Sequence, residues 1–465
     1  MKLQFLGANR QVTGSRYRLD AGGLTLLIDC GMYQERCCLE RNWEDSPVEP
    51  GRIDRLLLTH AHLDHCGLIP KLVREGYRNA ILATPPSIDL ARIVMEDAAR
   101  IQEEDAEHKK RRHKREGRKG PHPLVPLYTV EDAHAAGSLF QQVQYGKPIA
   151  LSDDVTVTWH DAGHILGSAM LEITARENGE LKRIIFSGDV GEWDSPLMRD
   201  PTTFPQADYI IMESTYGDQD HADDGDVPEK LARIVNETVE RGGNVVIPTF
   251  AIDRAQDLLY YFSRLVSENR IPHLGVSLDS PMAINATTIY KTYKYLLDEE
   301  TKSFLEAGKH PFQFPGLHMA RTREESQRIN SMSGSRIIMA GSGMCTGGRI
   351  KYHLRRNIDR EESTILFVGY QAAHTLGRHI VGGAKEVRIH GRMYPVHARI
   401  ERMYGLSAHA DRSGLMRWLG GFRSPPKKLF LTHGDEEVSE SLASHVSGQL
   451  DWDVLVPEYE QIIEL

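Results

Sequence analysis

Residues 59–67 constrain the fold of this chain more than any other part of its sequence. The segment reads THAHLDHCG and places three histidines and one aspartate within six positions, directly after the apolar run of residues 56–58. A turn that follows a strand can direct such side chains toward two neighbouring metal ions, and imidazole with carboxylate suits zinc, manganese or iron. The sequence therefore predicts a metal centre at the end of a strand.

Three more polar side chains of the same kind end apolar runs in the first 190 residues. Asp29 follows LLI, Asp189 follows FSG, and His164 lies in the glycine-flanked segment DAGHILGS. Short apolar and β-branched runs separated by Gly- and Asp-rich turns, with a helical pattern over residues 88–104, predict α/β layers here. The strand ends are therefore expected to deliver these side chains to one rim.

Composition and sequence pattern argue against a membrane protein, a secreted protein and a disulfide-bonded protein. No apolar run reaches the length of about 18 residues that a membrane span needs, and the N-terminus enters a strand-like pattern without a signal-peptide pattern. Five cysteines without a Cys-x-x-Cys pair argue against a disulfide framework. The net charge of −9 argues against indiscriminate coating of nucleic acid, although bound cations can reverse the potential inside one cleft. We expect a soluble, cytoplasmic protein with no membrane partner.

A second α/β series begins near residue 207. Strand candidates at residues 209–212, 244–247, 275–278, 336–340 and 364–368 alternate with helical segments, which is typical of a parallel sheet with crossover helices. The earlier run of residues 109–120, KKRRHKREGRKG, has two open interpretations: a solvated loop, or an electrostatic guide for phosphates.

An ordered set of motifs in the second half adds a more specific signal. The motifs are MESTYG around Glu213, PTFAIDRAQ at 248–256, DSPMA at 279–283, GSGMCTGG at 341–348, GYQ at 369–371, TLGRH ending at His379, and GLSAHAD around His409. With the histidine cluster they resemble the metallo-β-lactamase superfamily and, over nearly the whole chain, the β-CASP nucleases. That family includes the RNase J enzymes and the endonuclease subunit of the cleavage and polyadenylation machinery.

The resemblance implies an α/β fold in which a metallo-β-lactamase αββα sandwich carries an inserted β-CASP α/β domain. The sandwich would comprise residues 1–204 and 379–465, and the β-CASP domain residues 205–378. The short length points to the compact bacterial members, in which an oligomer such as a homodimer would form through the core.

The resemblance also implies two zinc ions per chain, with manganese as the alternative. The first ion would be held by His60, His62 and His164. The second would be held by Asp64, His65 and the late histidine His409. Asp189 would bridge the two ions, and Asp29 would accept a hydrogen bond from a ligand and fix its orientation. Such a pair of metals can activate water and neutralise charge on phosphoryl oxygens.

Protonation of the leaving oxygen requires a further group. By the resemblance, Glu213 and His379 form a carboxylate–imidazole pair in which the carboxylate keeps the imidazole protonated. Glycine-rich turns and nearby arginines are expected to hold RNA phosphates; these positions are Arg254, Ser342, Gly343, Arg349, Thr375 and Arg378. His433 would support a ligand or a substrate phosphate. Two positions depart from the family pattern. Asp253 places an acid where it would repel an RNA phosphate, and His374 places an imidazole that could bind a phosphate or narrow the groove.

The predicted function is a zinc-dependent ribonuclease that cleaves single-stranded RNA as an endonuclease, a 5′-exonuclease or both. A DNA nuclease of the same superfamily is the main alternative, and a histidine rather than a valine at the late ligand position argues against it. A thioesterase or lactamase would lack the inserted domain. A catalytically silent RNA-binding subunit would have lost ligands, whereas here every ligand position is filled.

Overall fold

The computed structural model describes residues 1–117, 124–221, 225–369, 371–372, 374–403 and 405–465. The end of the predicted basic run, residues 118–120, and Tyr370 of the GYQ motif lie outside this part. The described chain forms two compact units. One comprises Met1–Trp193, Asp200–Asp220 and His409–Leu465, and the other comprises Asp194–Arg199 and His221–Ala408. Among the described residues, no helix combines the length and apolar character that crossing a membrane requires.

The strands and helices alternate along most of the chain. In chain order the strands are β1 (Lys2–Gly7), β2 (Arg16–Ala21), β3 (Leu24–Ile28), β4 (Arg55–Leu57), β5 (Ile81–Ala83), β6 (Phe140–Gln142), β7 (Ile149–Ala150), β8 (Val155–Asp161), β9 (Ala169–Glu177), β10 (Glu180–Phe186), β11 (Tyr209–Glu213), β12 (Val245–Pro248), β13 (Gly275–Asp279), β14 (Leu317–Met319), β15 (Arg336–Ala340), β16 (Thr364–Val368), β17 (Glu386–Ile389), β18 (Arg392–Pro395), β19 (Arg399–Met403), β20 (Lys428–Thr432), β21 (Val454–Leu455) and β22 (Ile462–Glu464). The α-helices are α1 (Leu63–Cys66), α2 (Ile69–Arg74), α3 (Pro85–Glu116), α4 (Val130–Gly137), α5 (Val227–Glu240), α6 (Arg254–Ser267), α7 (Pro281–Thr292), α8 (Glu299–Glu306), α9 (Arg323–Ile329), α10 (Ile350–Asn357), α11 (Leu376–Val381), α12 (Arg412–Leu419) and α13 (Glu436–Leu450), and short 3₁₀ helices span Leu39–Asn42, Pro50–Arg52 and Lys294–Leu296.

The first unit contains two sheets that share a core. Their strand orders are β22-β1-β2-β3-β4-β5-β6 and β21-β20-β11-β10-β9-β8-β7. Apolar side chains from both sheets form one buried cluster, which includes Phe5, Leu57, Trp159 and Phe430. Successive strand residues point to opposite faces of a sheet, so a strand in a sandwich can bury both of its faces.

The second sheet shows this double burial directly. Ile211 of β11 belongs to the core between the sheets, whereas its neighbours Ile210 and Met212 pack with Leu415 of α12 and Leu442 of α13. Beside the first sheet, α2 and α3 pack on α4, and α3 also contacts β6. Helices therefore flank the paired sheets, and the predicted αββα sandwich is confirmed.

The second unit is built on a parallel sheet of order β14-β13-β15-β12-β16-β19. A separate antiparallel pair joins β17 and β18. The sheet contributes Val246, Ile338 and Phe367 to a buried cluster that also receives Leu354 of α10 and Ile380 of α11. This arrangement agrees with the parallel sheet predicted for the second half of the sequence.

The boundaries of the two units differ from the predicted limits of 205 and 378. Strand β11 pairs with β10 and β20 and so belongs to the first unit. At the other end, β19 pairs in parallel with β16 and extends the second unit to Ala408. Both differences arise because strand pairing between segments far apart in sequence fixes the limits, and this pairing leaves no local sequence signal.

Candidate metal centre and active site

The ends of adjacent strands bring the polar side chains of the first unit together. In the first sheet, β3 and β4 run in parallel with Ile28 opposite Leu57, and the backbone N–H of Asp29 donates to the Leu57 carbonyl at 3.0 Å. In the second sheet, β10, β11 and β20 are parallel neighbours. Asp189, Glu213 and His433 therefore lie at the same edge, because the carboxyl ends of parallel strands meet there.

The first group of ligand atoms comes from three histidines and one aspartate. The members are His60, His62, His164 and Asp189. His62 Nδ1 lies 3.2 Å from His60 Nε2 and 3.1 Å from His164 Nε2. Asp189 Oδ2 lies 3.2 Å from His60 Nε2 and 3.4 Å from His164 Nε2. Ligand atoms about 2.0–2.1 Å from a tetrahedral zinc ion lie about 3.3 Å from one another, so these spacings fit a zinc-sized ion.

The second group combines Asp64, His65 and His433. His65 Nε2 lies 3.1 Å from His433 Nε2, which lies 3.5 Å from Asp64 Oδ2. The prediction that His409 completes this group is corrected, because the imidazole beside Asp64 and His65 is that of His433. His433 directly follows β20, and the pairing of Glu213 with Thr432 places it beside the end of β11.

Asp189 connects the two groups. Its Oδ2 atom faces the first group, and its Oδ1 atom lies 3.2 Å from His65 Nε2 and 3.6 Å from His433 Nε2. Oδ1 is buried yet accepts no hydrogen bond from the described residues. A buried carboxylate oxygen without a donor is costly unless a cation satisfies it. The donor set therefore fits two metal ions that share the Asp189 carboxylate.

Hydrogen bonds to the far nitrogens orient the rings. His65 Nδ1 donates to Asp29 Oδ2 at 2.8 Å, so Asp29 has the predicted contact. His60 Nδ1 lies 3.1 Å from Thr59 Oγ1, and His433 Nδ1 lies 3.1 Å from Thr215 Oγ1. With Nδ1 engaged, each Nε2 is left to bind a metal ion, as is usual for histidine ligands. Sequence reasoning missed Thr215, whose signal was its position in the MESTYG motif.

The charge balance of the cluster also favours cations. Burial lowers the pKa of His60 to about 3 and that of His62 to about 4, so both rings are neutral and can donate a lone pair. Burial alone would raise the pKa of Asp189, but the neighbouring histidines, chiefly His433, hold it well below its ordinary value. Burial opposes a charge on His65 and His433, but Asp189 and the second carboxylate beside each ring raise the pKa of both, so metal binding would require these two rings to lose a proton.

Glu213 forms a separate pair with His409. His409 Nδ1 lies 3.1 Å from Glu213 Oε1 and 3.2 Å from Oε2, and Oε1 also accepts the Val190 N–H at 2.7 Å. Burial opposes a charge on His409, but the Glu213 carboxylate outweighs it and raises the pKa of His409 to about 9. The predicted partner of Glu213, His379, is thus corrected to His409. His379 lies on α11 of the second unit and is exposed.

Two predicted phosphate-binding arginines already have protein partners. Arg254 is buried and pairs with Asp257 at 3.0 Å. Arg349 contacts Asp279 Oδ1 at 2.7 Å and the Ala320 carbonyl at 2.9 Å. Both guanidinium groups therefore stabilise the second unit, and the predicted phosphate contacts at these positions stay a prediction.

The other predicted phosphate contacts lie near one another in the second unit. The Gly343 carbonyl accepts a hydrogen bond from Gln371 Nε2 at 3.1 Å, and the Gly377 N–H donates to the Met344 carbonyl at 3.1 Å. Ser342 is partly exposed, Arg378 is exposed, and Thr375 caps α11 by accepting the Arg378 N–H. These contacts leave the predicted phosphate role of the four positions as a proposal.

The two departures from the family pattern have different surroundings. Asp253 is buried and accepts a hydrogen bond from the Tyr290 hydroxyl at 3.3 Å. His374 is exposed and has a φ of 64°. The expected repulsion between Asp253 and a phosphate path is therefore reduced, because its carboxylate lies inside the second unit.

Family models match three consecutive parts of the chain. A metallo-beta-lactamase superfamily domain matches residues 18–190, a Beta-Casp domain matches residues 255–380, and a Zn-dependent metallo-hydrolase RNA specificity domain matches residues 393–457. The first two matches occur in the order that the sequence motifs predict, and the third lies in the segment predicted to belong to the returning metallo-β-lactamase domain.

Whole-chain comparisons give the same result. The chain is 35% identical over 437 residues to Ribonuclease TTHA0252 of Thermus thermophilus, covering 94% of each protein. It is 31% identical over 451 residues to Transcription termination factor FttA of Methanocaldococcus jannaschii, covering 94% of this chain and 67% of that protein. Among solved structures, a protein of unknown function from Enterococcus faecalis V583 matches with a TM-score of 0.54 at 11% identity, covering 100% of this chain and 99% of that one.

Proposed function

Because this chain belongs to the β-CASP ribonucleases of the metallo-β-lactamase superfamily, a family of metal-dependent hydrolases, we propose that it is a zinc-dependent ribonuclease that hydrolyses phosphodiester bonds of single-stranded RNA. The observation that carries the proposal is the pair of ligand groups joined by Asp189. The match to an RNA specificity domain supports RNA as the substrate.

His60, His62 and His164 would hold one ion, and Asp64, His65 and His433 would hold the other, with Asp189 shared. When bound, two such ions would lower the pKa of an attacking water and neutralise charge on the phosphoryl oxygens. Asp29, Thr59 and Thr215 would keep the ligand rings in the orientation that leaves Nε2 available. The chain thus supplies a preorganised cluster rather than one assembled by the substrate.

His409 would donate the proton that the leaving oxygen needs. Its Nδ1 is engaged by Glu213, and its Nε2 lies 4.0 Å from Asp189 Oδ2, so this nitrogen is directed toward the ligand groups. With a pKa of about 9 the ring is protonated at neutral pH. Glu213 would act as a positioning residue, since it orients the ring and stabilises its positive charge.

A DNA nuclease is the second function that this fold supports. The sequence argument against it, a histidine rather than a valine, applies to position 409, which the structure places beside Glu213. The ribonuclease relative covers almost the whole chain. A silent RNA-binding subunit is disfavoured because both ligand groups are complete.

The test compares RNA and DNA cleavage directly. Purified protein is incubated with end-labelled single-stranded RNA and with DNA of the same sequence, before and after chelation, and then with zinc or manganese restored. We expect cleavage of RNA that chelation abolishes and metal restores, with product lengths that distinguish endonucleolytic from 5′-exonucleolytic cleavage. Preferential cleavage of the DNA would favour the second function, and chelator-resistant cleavage would overturn the metal mechanism. Asp64→Ala is the inactive control.

A further inference from the structure

Helix α3 extends well past the body of the first unit. It spans Pro85–Glu116, and its buried residues end at Ala106. The residues after Ala106 are exposed or only partly buried. A helix of this length measures about 48 Å at 1.5 Å per residue. We call residues 109–116, the C-terminal end of this helix, the basic tip.

The basic tip concentrates positive charge on a chain whose net charge is −9. Its basic side chains are Lys109, Lys110, Arg111, Arg112, Lys114 and Arg115, and its acidic one is Glu116. Interaction with the helix dipole favours basic residues only within about the last turn. The dipole therefore does not account for the four basic residues from Lys109 to Arg112.

Most of this charge is not neutralised by neighbouring carboxylates. Lys110 lies 3.9 Å from Glu107, and Arg115 lies 3.7 Å from Glu116. In the described part of the chain, the side chains of Lys109, Arg111, Arg112 and Lys114 form no ion pair. Four unpaired cations within six residues of one exposed helix complement a polyanion, and phosphate backbones attract such patches in a salt-dependent way.

We propose that the basic tip binds the phosphate backbone of the RNA substrate at a distance from the metal centre. This inference rests on the proposed ribonuclease function and adds a second contact with the same RNA. The contact requires no particular base sequence, because backbone charge is the same along every RNA.

The anchoring of α3 fixes how far the basic tip lies from the metal ligands. At the start of the helix, the hydroxyls of Thr84 and Ser87 donate to the Gly167 carbonyl at 2.6 and 2.7 Å. Gly167 belongs to the same turn as the ligand His164. From Ser87 the basic tip begins about 33 Å along the helix axis. A stacked strand advances about 3.4 Å per nucleotide, so the RNA must extend about ten nucleotides from the scissile bond to reach the basic tip.

The test removes the four unpaired charges without disturbing the helix. The variant carries Lys109→Gln, Arg111→Gln, Arg112→Gln and Lys114→Gln, since glutamine has a helix propensity close to that of lysine and arginine. The matched control is Glu103→Gln with Glu104→Gln on the same helix, which changes charge in the opposite direction. Circular dichroism checks that both proteins keep their helix content.

Binding is measured in an Asp64→Ala background, with single-stranded RNAs of 30 and 6 nucleotides, over a series of salt concentrations. For the 30-mer we expect at least a ten-fold loss of affinity at low salt, and a salt slope that decreases by about 0.7 for each phosphate that the variant no longer neutralises. The 6-mer should bind the variant and its parent equally. The acidic control should bind the 30-mer as well as the parent or better.

Cleavage by the proteins with Asp64 intact separates the two hypotheses. Equal affinity and equal salt slope for the 30-mer in the charge variant and the parent would show that the basic tip does not bind RNA. If both proteins still cleave short RNA, the ribonuclease proposal stands. If no RNA is cleaved but the salt slopes still differ, the basic tip binds RNA and the ribonuclease proposal fails. An equal loss of affinity for both RNA lengths would overturn the distance argument.

Discussion

At the scale of single residues, His409 and His433 differ because the Nδ1 atoms of their rings have different partners. Nδ1 of His433 lies beside the Thr215 hydroxyl, which leaves Nε2 among the ligand atoms of Asp64 and His65. Nδ1 of His409 faces the Glu213 carboxylate, which favours a positively charged ring. Asp189 and Asp64 raise the pKa of His433 too, despite its burial, so the distinction rests on position: His433 Nε2 lies between Asp64 and His65, whereas Glu213 holds the His409 ring.

Metal content should distinguish these two histidines. We expect His433→Ala to retain about one divalent ion per chain, because the first group keeps all of its ligands, whereas His409→Ala should retain about two. Elemental analysis of protein purified without chelator measures both. A metal content near two in His433→Ala together with a loss in His409→Ala would instead make His409 the ligand of the second ion.

The general-acid role of His409 predicts a particular pH dependence. The pKa of His409 is raised to about 9, so the ring is protonated below that pH and the rate of RNA cleavage should fall as the pH rises through about 9. Glu213→Gln removes the carboxylate that raises this pKa, so the fall should begin at a lower pH. Profiles of kcat against pH for the parent and the variant measure this difference, and superimposable profiles would contradict it.

Loss of the proton donor should also depend on the leaving group. We expect His409→Ala to cleave RNA about 10² to 10⁴ times more slowly than the parent. On bis-p-nitrophenyl phosphate, whose leaving group needs no proton, the loss should be far smaller. His379→Ala is the control and should cleave RNA at close to the parent rate. An equal loss on both substrates would assign His409 a structural role.

The sequence could predict which candidate ligands lie close together in one turn but could not distinguish the two late histidines. His60, His62, Asp64 and His65 share one short turn, so their proximity follows from their spacing. His409 lies in the segment GLSAHAD and His433 in the segment LTHGD, and neither segment shows which histidine approaches Asp64 and His65. The choice depends on β20 pairing with β11, an interaction between segments separated by most of the second unit.

At the scale of elements, Gly31 shows how closely three loops of the first unit pack. Its N–H donates to the Ser15 carbonyl at 2.9 Å, and the Ser15 N–H donates to the Asp64 carbonyl at 2.8 Å. A Cβ atom at Gly31 would lie 1.6 Å from that Asp64 oxygen. The backbone that presents Asp64 therefore has no space for a side chain here.

Gly31→Ala should consequently affect both stability and the second ligand group. Forcing a methyl group into a packed site costs about 1–3 kcal/mol, so the melting temperature should fall and metal content should drop toward one ion per chain. Gly51→Ala is the matched control, because a Cβ atom there meets nothing within 4 Å. Thermal unfolding with parallel metal analysis tests the pair, and equal behaviour of the two variants would contradict the packing argument.

Helix α3 shows where element prediction fell short. The apolar pattern predicted a helix over residues 88–104, and one interpretation of the following basic run was a solvated loop. The structure continues the helix to Glu116. Lysine, arginine and glutamate are good helix formers even where no apolar stripe exists, so intrinsic propensity extends a helix that periodicity alone ends too early.

At the scale of the whole molecule, metal removal should affect the first unit selectively. The two ligand groups tie together turns after β4, β8, β10 and β20, and the second unit contributes no member to these groups. Ions that bind only the folded state stabilise it. Chelation should therefore increase amide hydrogen exchange at residues 60–65, 188–191 and 433–434, while β12 and β15 keep their protection. Restored zinc should reverse the change, and a uniform increase would contradict this prediction.

The position of His433 on β20 also has a consequence for the timing of synthesis. Asp189 leaves the ribosome roughly 240 residues before His433, and at about 5–20 residues per second this gap lasts roughly 12–48 seconds. Throughout that interval the nascent chain has one complete ligand group and an unfinished second one. The proposed ligand set therefore implies that the chain cannot cleave its own messenger RNA until translation is nearly complete.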